Sequence, residues 1–329
     1  MSKCLVSLCG TVYNNADRIG NAIETLTNAF KGLNYEIVVV DNYSDDGSFE
    51  VLNKYARHFP IRVYRYKCSR GLGRMIAFER SKGNYTMAVD LDTEYYPRIL
   101  RTVLRGYLNS EFRDKKCLFW PSMSSYHHSR GVLLCPRHIL YQVGGWRDLT
   151  RAEDMDLLAR LHLKDLLITL PIESGIDKSF RFSTNYFFRE RIYAKNVIHY
   201  LKRLFYNSRD MVCGDALTLK KTFITYHYAF QRGLLETFLL CLHNLLFSMI
   251  CKFSGMYSNS ADPILSNDLY VIYKNLTSVV NPIEFGFEQK DIINYEIENF
   301  PVLQFLISRY PEIAKSLDKI KTWKYHNES

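Results

Sequence analysis

An α/β fold is predicted for this chain by two observations. Over the first 170 residues, short β-rich runs alternate with longer amphipathic ones, as in a sheet with helices on its faces. Past about residue 172 that alternation stops, and the remainder reads as mostly helical. Strands are expected at 4–9, 36–40, 61–66, 85–89, 117–120, 131–135 and 166–170, and helices at 15–30, 47–58, 72–81, 97–108 and 153–163. The chain enters its first strand directly from Met1, and Ile37-Val38-Val39-Val40 reads as a strand covered on both faces. Ser48 is placed to cap the helix starting near Phe49, and Pro97 suits the first turn of a later one, where its missing N–H costs nothing. In the tail, 290–324 reads as one or two helices broken by Pro301 and Pro311, while 258–282 is poor in helix signals. The division expected is a core at 1–172 and a mostly helical region at 173–329.

The 329 residues are 47% hydrophobic and 23% charged, the composition of an ordinary globular protein, and no repeat or low-complexity segment stands out. A net charge of +9 favours anionic partners without choosing among nucleotides, nucleic acid and an acidic membrane surface. Eight cysteines form no C-x-x-C pair and several lie in apolar runs, which reads as reduced thiols in a cytoplasmic protein. The first residues form too short an apolar stretch for a signal peptide. The longest apolar run, 234–250, carries Glu236, His243 and Asn244, and a spanning helix needs about 20 mostly apolar residues. A buried or surface-lying helix is expected there.

The most informative motif is Asp90-Leu91-Asp92, at the end of the run Tyr85 to Val89. Two acids closing a buried strand are costly unless they face a cleft and meet a counter-ion. Hard oxygen ligands suit Mg2+ or Mn2+, which bind one or two carboxylates together with substrate phosphates. Ligands of open α/β sheets bind beyond the carboxyl ends of strands, so Asp41 is placed to accept hydrogen bonds from a base or ribose. Thr11 and Tyr13, after the first strand, can line the same pocket. In Arg70-Gly71-Leu72-Gly73-Arg74, the glycines permit close backbone approach, the helix start favours anions and Arg74 adds a planar donor. Gly144-Gly145-Trp146 leads to Glu153-Asp154-Met155-Asp156. Acids in a helix's first turn ordinarily stabilise its dipole, but a metal–diphosphate site also needs a carboxylate to deprotonate an incoming hydroxyl.

Taken in order, strand-Tyr-Asn, Asp-Asn-x-Ser-x-Asp-Gly-Ser, Gly-x-Gly, Asp-x-Asp, Gly-Gly-Trp and Glu-Asp resemble the family 2 glycosyltransferases over about residues 4–170. The resemblance implies the GT-A nucleotide-diphospho-sugar transferase fold, a Rossmann-like mixed sheet flanked by helices, and an inverting transfer from a nucleotide-diphosphate sugar to a glycan or lipid-linked acceptor. It implies that Thr11, Tyr13 and Asp41 hold base and ribose, with Asp46 and Arg74 near that pocket. It further implies Asp90 near the ribose or metal, Asp92 on the Mg2+ or Mn2+, and Asp154 as general base with Glu153 the alternative. Tyr43 departs from the small residue usual in the second motif. No Gln-x-x-Arg-Trp of processive synthases is found, which favours single addition.

Smaller signals have plainer readings. His127-His128 lies in a polar loop without a third ligand at metal spacing. The basic amphipathic helix expected at 189–206 has three readings: packing, a peripheral contact with the cytoplasmic face of a membrane, or an acceptor-phosphate site. The 24 tyrosines are spread along the whole chain. Competing functions are a sugar nucleotidyltransferase, against which stands the lack of a Gly-rich, Lys-containing N-terminal loop, and a basic nucleic-acid-binding module, for which no motif is present.

Overall fold

The structure, a computed structural model, describes residues 5–121, 131–150, 153–172, 268–293 and 310–325, with 196–199, 201–202, 242, 246, 303 and 306–308. Seven strands form one sheet: β1 (Val6–Val12), β2 (Tyr35–Asp41), β3 (Ile61–Arg65), β4 (Tyr85–Ala88), β5 (Cys117–Pro121), β6 (Gly131–Pro136) and β7 (Leu167–Thr169). Their order is β3-β2-β1-β4-β6-β5-β7. β1 to β4 are mutually parallel where they pair, β6 runs antiparallel to both β4 and β5, and β7 is parallel to β5. The mixed sheet expected from the resemblance is therefore present.

Between the strands lie α1 (Ala16–Phe30), α2 (Ser48–Ala56), α3 (Arg70–Arg80), α4 (Pro97–Asn109), α5 (Arg137–Gln142) and α6 (Glu153–Leu163). Side chains alternate across the sheet. Val6, Leu8, Ile37, Val39 and Met87 pack with the buried stripes Ile19-Ile23-Leu26-Phe30 of α1 and Leu100-Val103-Leu104-Tyr107 of α4. The opposite face packs Val38, Val40 and Ala77 of α3 in one cluster, and Phe119 and Leu133 with α5 and α6 in another. Each fully buried Leu, Ile or Phe contributes roughly 1.5–3 kcal/mol, so the helices are held chiefly by these stripes.

The chain winds β1→β2→β3 in one direction and then crosses to β4 on the other side of β1. That reversal opens a crevice beyond the ends of β1 and β4, where open sheets bind ligands. Gly10 permits the close pairing there, since a Cβ at this position would lie 2.7 Å from the Val89 carbonyl oxygen.

Beyond β7 the described chain is helical: α7 (Asp268–Thr277), two 3-10 turns (Pro282–Phe285 and Gln289–Asp291) and α8 (Pro311–Tyr325). It extends the sheet edge through bridges Thr169–Val279 and Ile172–Ile292. Phe285 and Phe287 join the main core.

Several expectations need correction. β1 runs to Val12, not Cys9, because Gly10 is a close-approach residue within the strand. Ser48 is the first residue of α2 behind Gly47, which has φ 93°; its hydroxyl serves neighbouring loops instead of its own helix. Helix α7 falls within 258–282, where β-branched and aromatic residues mask a helix whose Val271, Ile272 and Leu276 are buried; packing outweighs propensity there. Cys117 and Cys135, directly opposite on β5 and β6, form a disulfide, so the reduced-thiol reading fails for this pair. Cys9 and Cys68 are free, and burial pushes their thiols up to about 12 and about 11. The His127-His128 loop and most of 189–206 and 234–250 lie outside the described residues; Val197, Ile198, Leu201, Leu242 and Leu246 are helical and exposed.

Candidate functional site

Two loops meet beside the end of β1. The β1–α1 and β2–α2 loops are laced together: Asn14 N–H donates to Ser44 Oγ (3.0 Å), Asn15 N–H to Ser48 Oγ (2.9 Å) and Ala16 N–H to Asp46 Oδ2 (2.9 Å). Asp46 also accepts from the Ser48 N–H (3.0 Å) and hydroxyl (2.6 Å). Burial alone would raise its carboxyl, but these donors hold it below the usual range. Asp46 thus has a structural task, seating the starts of α1 and α2.

Asp41, at the end of β2, is fully buried. It accepts from the Ser44 N–H (3.2 Å) and pairs with Arg65 Nε at 2.9 Å. The Arg65 guanidinium lies over the rings of Tyr43 (5.0 Å) and Phe49 (4.6 Å) and donates to the Ser44 carbonyl. Asp41 therefore sets the shape of the loop beside the crevice, with Tyr43 at φ 53° exposed on its rim. Thr11 and Tyr13 are half-buried at the end of β1.

The two glycines of α3 approach protein backbone and side chain. A Cβ on Gly71 would lie 2.0 Å from the Arg147 carbonyl oxygen, and one on Gly73 would lie 2.5 Å from the Thr11 methyl. The Gly71 N–H donates to Leu149 O (2.9 Å), and Ser69 caps the helix by accepting from Leu72 N–H. This close packing brings Arg74 to the centre of the acids.

Arg74 is 4% exposed and binds three carboxylates. Nη2 donates to Asp90 Oδ1 (2.6 Å), while Nη1 reaches Glu153 Oε1 (3.2 Å) and Asp154 Oδ1. Its Nε is buried without a hydrogen-bond partner among the described residues. Trp146 Nε1–H also donates to Asp154 Oδ1 (3.1 Å). Burial alone would raise the Asp154 carboxyl; Arg74, with help from Trp146 and Arg70, holds it below the ordinary value. Glu153, 3% exposed, is pushed up by burial in spite of Arg70 and Arg74. Asp154 is thus the acid of the two that favours the ionised state a base requires.

Asp90 is 57% exposed in its side chain. Its backbone is fixed by Tyr95, whose hydroxyl accepts from Asp90 N–H (2.8 Å) and donates to Asp90 O (3.2 Å). Asp92 is raised by burial and then by the charge of Asp90; its carboxylate accepts one hydrogen bond, from Thr93 Oγ1 at 3.3 Å. An under-neutralised pair of hard oxygen ligands fits a divalent cation completed by phosphate oxygens. Among the described residues, no group of three or more His, Cys, Asp or Glu forms a self-contained metal site. The cleft is lined by Arg74, Asp90, Tyr95 and Asp154 with apolar Ala88, Phe119, Val132 and Leu158.

Six of the predicted residues fall into two groups, while Thr11, Tyr13 and Asp92 lie outside both. Asp90, Arg74, Glu153 and Asp154 converge around one guanidinium. Asp41 and Asp46 organise the adjoining loops. Sequence reasoning missed Tyr95, which follows Asp92 by three residues without a recognisable motif, and the direct bond from Trp146, although the Gly-Gly-Trp turn was visible.

Residues 7–112 match the family described as Glycosyl transferase family 2. A dolichol-phosphate mannosyltransferase of Pyrococcus furiosus is 21% identical over 221 residues, covering 61% of this chain and 62% of that one. The uncharacterized glycosyltransferase YfnE of Bacillus subtilis is 24% identical over 176 residues, 53% of this chain and 42% of its own. An undecaprenyl-phosphate 4-deoxy-4-formamido-L-arabinose transferase of Aeromonas hydrophila is 29% identical over 113 residues, 31% of this chain and 35% of its own. The chain thus spans less than two thirds of the length of these relatives. Among solved structures, S. aureus TarS 1–349 in complex with UDP-GlcNAc is 13% identical with a TM-score of 0.47, over 97% of this chain and 90% of that one.

Proposed function

Since residues 7–112 match the family described as Glycosyl transferase family 2, we propose that the chain moves a sugar from a nucleotide-diphosphate donor to an acceptor oxygen, with inversion and one addition per encounter. The observation that carries this reading is the buried Arg74 joining the strand-end acid Asp90 to the helix acid Asp154. It sets a donor-side carboxylate and an ionised base on opposite arms of one guanidinium.

In this reading the nucleoside lies along the end of β1, against Thr11 and Tyr13, with the Asp41 loop shaping its pocket. Asp92 and Asp90 would hold Mg2+ or Mn2+, which when bound neutralises charge on the leaving diphosphate. Asp154 takes the acceptor proton as that oxygen attacks the anomeric carbon from the face opposite the diphosphate. Arg74 keeps Asp154 ionised and Tyr95 keeps the Asp90 backbone in place. Apolar Phe119, Val132 and Leu158 limit water at the reacting bond.

For the acceptor we favour a lipid-linked phosphate at a membrane's cytoplasmic face. The support is that two relatives are named for dolichol-phosphate and undecaprenyl-phosphate, together with the exposed Val197, Ile198 and Leu201 beside Lys202. No helix among the described residues is long and apolar enough to cross a membrane, so the contact envisaged is peripheral.

The test is calorimetric titration of UDP, GDP and dTDP, with and without Mn2+, into the wild type and Asp92→Ala. Cation-dependent binding of one nucleotide, lost in the variant, supports the donor site and selects sugars for a transfer assay on polyprenyl phosphate. Failure of all three nucleotides with folded protein sinks the reading.

A further inference from the structure

The geometry of the Gly-Gly-Trp turn is closely determined. Gly144 and Gly145 sit at φ 79° and 59°, in the left-handed region that favours glycine. A Cβ on Gly145 would also lie 2.4 Å from Met75 Sδ. The turn ends α5 and sends Trp146 under α3, edge-on to Phe78 with ring centroids 6.4 Å apart. There the indole is 3% exposed, and packing alone would be served by any large aromatic. Its N–H donates to Asp154.

Two further contacts make the indole and that carboxylate one unit. Arg160, on the same helix as Asp154, donates to the carbonyls of Val143 and Gly145, the latter at 2.7 Å, and pairs with Asp156 at 2.6 Å. Arg147, next to the indole, pairs with Asp156 at 3.2 Å. The turn is thereby fastened to α6 on both sides of Trp146. At the carboxylate, Trp146 and Arg74 both donate to Oδ1. Oδ2 has no hydrogen-bond partner among the described residues, and the side chain is 41% exposed toward the cleft.

We propose that Trp146 is a positioning residue, whose indole N–H, sharing Oδ1 with Arg74, selects Oδ2 of Asp154 as the oxygen that receives the acceptor's proton. The proposal rests on the glycosyl-transfer reading above for the identity of the proton. A proton donor on one oxygen fixes the carboxylate plane and leaves the lone pairs of the other directed at the cleft. The charged groups facing Asp154 are Arg70 and Arg74 from α3, Asp90 from the end of β4 and Glu153 on its own helix. Of these, Arg74 also donates to Oδ1, and Trp146 adds a neutral donor fixed by a buried ring.

The chain has three tryptophans, at 120, 146 and 323, so 15N labelling of indoles gives three N–H resonances, and Trp146→Phe identifies one. That resonance is expected to shift as Asp154 titrates and to move in Asp154→Asn. Trp146→Phe, which keeps the packing on Phe78, should lower kcat about tenfold while leaving donor KM and nucleotide affinity unchanged. Its acidic limb in kcat should move to higher pH, because a carboxylate that loses a hydrogen bond holds its proton more tightly. The proposal is overturned if the indole resonance is blind to Asp154→Asn, or if Trp146→Phe retains wild-type kcat and the same acidic limb. Failure of the wild type to transfer any sugar would count against the glycosyl-transfer reading, and with it the role assigned to Oδ2; the resonance would still report whether the bond exists.

Discussion

A guanidinium buried among carboxylates persists only while each charge offsets the desolvation of another. Arg74 is in that position: its nearest buried partner, Glu153, is 3% exposed and is otherwise approached by Arg70 at 3.6 Å. Arg74→Ala should therefore destabilise the fold by about 3 kcal/mol, in line with removing one partner of a buried pair, and urea denaturation of the folded variant would measure it. An effect below 0.5 kcal/mol would mean that water replaces the guanidinium freely. At the catalytic level, Asp154→Asn should reduce sugar transfer at least 100-fold while leaving nucleotide titration unchanged. Equal loss of both would move Asp154 to the donor site. Much of this cluster was legible in the sequence because acids that end a strand or open a helix are chemically conspicuous. Arg74's junction was not, since its partners lie 16, 79 and 80 residues away and only the close packing of Gly71 and Gly73 brings them together.

At the scale of elements, the left half of the sheet depends on one buried carboxylate. Glu36 of β2 accepts from Ser7 of β1 (2.7 Å), from Arg62 of β3 (3.1 Å to Nε) and from the Lys82 N–H before β4. Burial alone would raise this carboxyl, but Ser7, Lys82 and Arg62 bring it below its ordinary value. A folded-state pKa lower than the unfolded one gives stability that is present above the unfolded value and lost as pH falls through the folded one. Wild-type stability should thus decline on acidification below about pH 4.3, and Glu36→Gln should be less stable at neutral pH with a shallower acid limb in thermal denaturation. Identical acid limbs would remove Glu36 from the account. Gly71 sets the second joint: Gly71→Ala should cost about 1–3 kcal/mol by overpacking, because its Cβ meets the Arg147 carbonyl rather than a side chain that can swing away. The elements themselves were largely legible, since apolar periodicity marked α1, α4 and β2. The misses, β1 beyond Gly10 and α7, are places where a tertiary contact decides what local propensity leaves open.

For the whole molecule, the question is whether the C-terminal helices are an appendage or part of the core. Phe285 is 3% exposed within the cluster that also holds Leu104 and Tyr107 of α4, and Gly106 is there because a Cβ would lie 2.5 Å from the Phe285 carbonyl oxygen. Asp291, held below its usual pKa by Arg98 and the Glu288 N–H against the opposing effect of burial, ties the same segment to α4. On the other side His162 of α6 bonds Asn275 of α7 at 2.7 Å, and burial lowers its pKa to about 4, so it stays neutral. These contacts link both faces of the sheet to residues 270–293, and nothing in the local sequence of that segment announces them. Phe285→Ala should therefore cost about 3–5 kcal/mol and lower the stability of the whole core in a single transition, because its cavity would open between α4 and the 3-10 turn rather than inside a separate unit. Differential scanning calorimetry decides the matter. One transition displaced to lower temperature makes the segment integral, whereas two transitions, of which only the smaller moves, would make the core at 1–172 an independent folding domain.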